Sequence, residues 1–108
     1  MCIIRRMSNP QLRESTIKSI QEAVAHLFDV SVEEFRQESN SRAVAVPRQI
    51  AMFLTKQLTD ASLSEIGRHF GGRHHTTVMH SIARVQELRR SDPALDHVVS
   101  KLLREFDP

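Results

Sequence analysis

Between Phe70 and Ile82 the chain reads FGGRHHTTVMHSI, a stretch holding two of its three glycines, and four of its six histidines fall between His69 and His80. Two chemistries suit such a cluster. Imidazoles ligate metals, whereas imidazole, guanidinium and hydroxyl groups at the start of a helix meet phosphates and base edges. A metal site needs side chains that converge. His69, His74, His75 and His80 contain no His-x-x-x-His pair, their nearest separations being one and five, and no thiolate or carboxylate accompanies them. No metal or other cofactor is therefore expected. An enzyme is not expected either: no Gly-x-x-x-x-Gly-Lys-Ser/Thr phosphate loop exists, and Ser, His and Asp nowhere group around a nucleophile.

The groove-reading alternative requires a helix that begins at this cluster, and the flanking residues supply one. Ser62 and Glu65 have the spacing of a capping box, Ile66 and Phe70 continue an apolar face, and Gly71 and Gly72 stop the helix. Val78, Ile82, Val85 and Leu88 then mark a longer helix. A short capped helix, a glycine turn and a longer helix have the form of a helix-turn-helix, whose second helix enters the major groove by its N-terminal end. That end is Arg73, His74, His75, Thr76 and Thr77. Two antiparallel core helices joined by Gly-Gly would give the same spacing, so the pattern alone leaves both open.

The remaining chain reads as helices throughout. Ile17, Ile20, Val24, Leu27 and Phe28 make one stripe, expected from about Ser15; Ser31–Glu34 has the form of a capping box for a short helix through Phe35. RQESNSRAVAV lacks a clean period and precedes a proline, so it reads as a loop, with Pro47 in the first turn of the helix that carries Ile50, Phe53, Leu54 and Leu58. Asp92-Pro93 opens a final stripe of Leu95, Val98, Val99, Leu102, Leu103 and Phe106. There is no strand candidate and no repeat, so the fold class is all-α.

Composition agrees with a single ordinary domain: 108 residues, 40% hydrophobic and 26% charged. The lone Cys2 fits a reducing, cytoplasmic setting, and no apolar run reaches membrane-spanning length. MCIIRRMSNP lacks the apolar region of a signal peptide and reads as a leader, with Met7 an equally good start. Residues 1–11 are thus expected to be flexible and 12–107 to form the domain. Charge is uneven. Asn40 to Arg90 holds eight basic residues against three acidic ones, a net +5, while residues 1–39 carry −1 and 91–108 carry −2. A basic middle between mildly acidic flanks favours a polyanionic partner.

SLSEIGRHFGGRHHTTVMHSIARV, Ser62 to Val85, resembles the C-terminal DNA-binding domain of the bacterial replication initiator DnaA. The family pattern there is S-L-x-x-I-G-x-x-F-G-G-(R/K)-(D/H)-H-(T/S)-(T/S)-V-x-H. SRAVAVPRQIAMFLTKQLT, Ser41 to Thr59, is similar to the family's preceding loop and helix. The resemblance implies a compact six-helix domain, of the Trp-repressor-like kind, that engages a DnaA box in double-stranded DNA as a monomer. It implies base contacts from Arg73, His74, His75 and Thr76, with Asn40 at the minor groove. Arg42, Arg48, Gln49, Lys56, Leu63, Ser64 and Thr77 fall at its phosphate-contacting positions. His69 is expected on a helix surface, and His80 partly buried and bonded within the domain.

Two positions depart from the family. Asn40 stands where an arginine commonly reaches the minor groove, with Glu38 just upstream, so charge favouring a narrow groove is missing. His74 stands where many members carry aspartate. That exchange is expected to remove a helix cap and a repulsion toward phosphate, tightening nonspecific binding and altering base preference. Lacking the initiator's ATPase module, the chain is expected to bind DNA without opening it, either as a detached C-terminal domain or as a standalone regulator or competitor. The full-length initiator and other replication regulators are the protein partners so implied, and the nucleoid is its implied place. The alternative is an interaction or nonspecific DNA-binding module that keeps the fold without box specificity.

Overall fold

A computed structural model describes residues 10–37 and 41–106, with side chains from residue 14 onward. Six helices follow in order: α1 (Pro10–Phe28), α2 (Val32–Arg36), α3 (Arg42–Leu58), α4 (Leu63–His69), α5 (His75–Ser91) and α6 (Pro93–Phe106). The described residues contain no strand. A radius of gyration of 12.8 Å matches the roughly 13 Å of a folded domain this long. No described helix is long and apolar enough to cross a membrane.

The architecture is organised around α3. Its residues Val44, Pro47, Ile50, Ala51, Met52, Phe53, Leu54 and Leu58 are buried, and the helix packs against α1, α2, α4, α5 and α6. A helix that buries most of its middle belongs at the centre of a domain, while Arg42, Lys56 and Gln57 near its two ends stay exposed. Its two buried hydroxyls are satisfied locally: Thr55 Oγ1 donates to the Ala51 carbonyl at 2.8 Å and Thr59 Oγ1 to the Thr55 carbonyl at 2.7 Å.

Two boundaries differ from the sequence expectation. α1 begins at Pro10, ahead of Ser15, using proline where its missing N–H costs nothing. α3 begins at Arg42, so RAVAV is helical and Pro47 lies inside the helix. The proline removes the one backbone bond that would reach the Ala43 carbonyl. Burial of Val44 and Pro47 on the core side offsets that loss. The loop expected ahead of α3 therefore cannot include RAVAV, and its residues 38–40, Asn40 included, lie outside the described residues.

Candidate nucleic-acid interface

α4, a turn and α5 form the expected helix-turn-helix. Ser62 Oγ accepts from the Glu65 amide at 3.1 Å and starts α4, the first half of the expected capping box. The helix ends in a Schellman arrangement: Gly71 has φ +90°, and the Gly72 amide returns to the Gly67 carbonyl at 2.9 Å. Arg73 N donates to that same carbonyl at 2.9 Å, folding the chain back over the helix end. The fold-back is tight enough that a Cβ on Gly67 would collide with the Arg73 carbonyl. All three glycines of the chain therefore serve this one motif.

The turn is also strapped to α2. Phe70 and Phe35 are fully buried with ring centroids 6.3 Å apart. Gly71 lies so close to the Arg36 carbonyl that no Cβ fits there, and Arg73 Nη2 donates to the Gln37 carbonyl at 2.6 Å. On the opposite side, the buried Gln21 of α1 donates from Nε2 to the His69 carbonyl at 2.9 Å. These contacts hold the start of α5 in place from both sides.

α5 buries only Val78, Ser81 and Val85, with Ile82 half-buried beside them. Its first turn contains no acidic residue, and its N-terminus is exposed. His74 is the N-cap. Its Nδ1 accepts from the Thr76 amide at 3.2 Å, so the expected loss of a cap at this position is corrected: an imidazole nitrogen supplies the acceptor that a carboxylate would. The His74 and His75 rings pack with centroids 4.3 Å apart. His74, His75 and Thr77 are exposed and Thr76 is half-buried, all at the helix tip. His80 is exposed rather than partly buried, because two residues beyond Val78 a helix has turned to its far side. His69 is half-buried, and desolvation holds its pKa below the ordinary histidine value.

The basic residues divide into two groups. Arg42 and Lys56 are exposed, and Lys56 Nζ reaches the Ala61 carbonyl at 3.4 Å. Gln49 and Leu63 are half-buried and Ser64 exposed. Arg48, by contrast, is only 8% exposed. Burial first, and the neighbouring Arg73 second, hold its pKa below the usual arginine value. Arg73 is half-buried, with Nε enclosed and without a hydrogen-bond partner. Arg89 lies over the Phe53 ring and bonds Asp96 at 2.7 Å and Ser100 at 3.3 Å, so it joins α5 to α3 and α6. Charge counting had placed Arg89 in the basic field; the structure assigns it to the scaffold. Met79, 47% exposed one turn beyond His75, is a surface feature the sequence reading did not single out. Its offset from Val78 and Ile82 was the available signal.

Comparison with known proteins gives a consistent result. The family model described as the bacterial dnaA protein helix-turn-helix matches residues 17–85. Among proteins similar to this chain, the chromosomal replication initiator protein DnaA of Symbiobacterium thermophilum is 44% identical over 91 residues, covering 84% of this chain and 20% of that protein. The protein of the same name from Caulobacter vibrioides is 44% identical over 107 residues, covering 95% of this chain and 22% of its own length. The chain thus spans about a fifth of the length of these relatives. A solved structure titled as a DNA replication initiation factor superposes with a TM-score of 0.77 at 32% identity, over 86% of this chain and 28% of that one.

Proposed function

The chain belongs to the bacterial DnaA helix-turn-helix family, and from that premise we propose that it binds double-stranded DNA at DnaA-box-type sites, in origin recognition or the control of replication initiation. α5 enters the major groove by its N-terminal turn. His74, His75 and Thr76 face base edges, with Arg73 beside them. Arg42, Arg48, Gln49, Lys56, Leu63, Ser64 and Thr77 hold the flanking phosphates, and Asn40 lies toward the minor groove. The role is binding rather than catalysis, by one copy of the chain per asymmetric site, at the nucleoid of the cytoplasm.

The observation that carries this reading is the exposed start of α5. It combines a first turn free of acid with exposed donors and acceptors at the positive end of a helix whose turn is held by α2 and α1. Arg48 and half-buried Arg73 add two neighbouring positive charges beside this tip, a field that attracts phosphate.

The test is a titration of the chain against a duplex carrying a DnaA box and a scrambled duplex, across a range of salt. Contact with about six phosphates gives a log–log slope of roughly −5. Box specificity gives a preference of about 10³ or more. Equal affinity for both duplexes reduces the function to nonspecific binding, and absence of affinity makes the domain a protein-interaction module.

A further inference from the structure

His74 is more than a cap, because the capping bond decides which of its two nitrogens carries the proton. A backbone amide only donates. The Thr76 N–H therefore requires a lone pair on His74 Nδ1, 3.2 Å away. The Thr76 hydroxyl, 2.8 Å from that same nitrogen, must then donate to it as well. With Nδ1 unprotonated, the proton of the neutral ring sits on Nε2, across the ring from the cap. The ring is exposed, and the His75 ring packed at 4.3 Å restricts its rotation.

On the reading that α5 enters the major groove, we infer that His74 is a specificity-determining residue whose Nε2–H donates to the N7 acceptor of a purine. Adenine and guanine both present N7 in the major groove and thymine presents O4, whereas cytosine presents only an amine donor there; of these acceptors N7 stands at the groove edge of both purines. An aspartate at this position would cap the helix equally well but face the groove with an acceptor. The same fold with His74 therefore selects a base of the opposite hydrogen-bonding character at that contact.

The experiment compares the wild-type chain with His74→Asn and His74→Asp, both of which preserve a capping oxygen. Asparagine still turns an N–H outward; aspartate turns only acceptors outward. Each purine of a DnaA-box duplex is replaced in turn by its 7-deaza analogue, which lacks only the N7 acceptor. One position should weaken binding by about threefold to tenfold in the wild type and in His74→Asn, and not in His74→Asp. A deaza profile shared by all three proteins, or one without a sensitive purine, overturns the contact. Long-range ¹H–¹⁵N spectra of the free protein test the tautomer without DNA: Nδ1 should resonate as the unprotonated nitrogen, and a protonated Nδ1 overturns the assignment. Failure to prefer the unmodified box over a scrambled duplex instead overturns the DNA-reading function itself, and the N7 contact with it.

Discussion

α3 and α5 are both 17 residues long, and they spend those residues in opposite ways. α3 buries ten of them, Arg48 among them, and touches every other helix; α5 buries three. A helix that buries a narrow strip still needs an address, and α5 receives it from its two ends. Arg89 anchors the C-terminal end to Phe53, Asp96 and Ser100, and the Gly67 turn fixes the other. The lesson is a division of labour. α3 holds the domain together, which leaves the side chains at the tip of α5 free to be chosen for what they bind.

That division is most exposed to a paired measurement. Leu54→Ala in α3 removes a fully buried side chain and should cost about 2–5 kcal/mol in chemical denaturation. His75→Ala or Thr77→Ala, at exposed positions, should stay within about 0.5 kcal/mol of wild type while weakening the DNA complex. Equal destabilisation by the two kinds of change would dissolve the contrast.

Gly67→Ala sits between these extremes. The added methyl meets the Arg73 carbonyl, so the turn must shift, at about 1–3 kcal/mol. Stability and DNA affinity should fall together here, unlike at His75 or Thr77. Unchanged affinity in a destabilised Gly67→Ala protein would show that the turn does not aim the helix.

The smallest expected effect concerns protonation. His69 is half-buried, and desolvation lowers its pKa, partly opposed by Glu14 and Glu65 and assisted by Arg68 and Arg36. The unfolded chain therefore takes up this proton before the folded one does. Stability should be fully present above about 6.5 and decline as pH falls below it. Equilibrium denaturation across that range should show a shallower decline in His69→Gln; an unchanged slope assigns the acid sensitivity to other groups.

Much of this was legible in the residues. The Ser31 and Ser62 caps, the Gly71 stop and the Pro93 start each declare themselves through local chemistry that tertiary packing has no reason to change. The start of α3 did not. Pro47 reads locally as a beginning, yet Val44, Pro47, Ala51, Leu54 and Leu58 form a helical stripe that runs through it, and all five are buried. There the core overrides the proline. The placement of charges was equally hidden. Nothing in the spelling of the chain distinguishes Arg89, committed to Phe53 and Asp96, from Arg42, which lies in solvent. The cap at His74 was invisible for a different reason: imidazole is a capping group only in one rotamer and one tautomer, and both are properties of the folded turn.

The clasp between Arg73 and the Gln37 carbonyl gives the segment that follows Gln37 a leverage out of proportion to its size. Between that carbonyl and Ser41 at the head of α3 lie only three residues, so lengthening or shortening this span pulls on the hand that steadies α5. An insertion or deletion in that span should therefore be felt at the far end of the clasp, in how firmly Arg73 holds the start of α5.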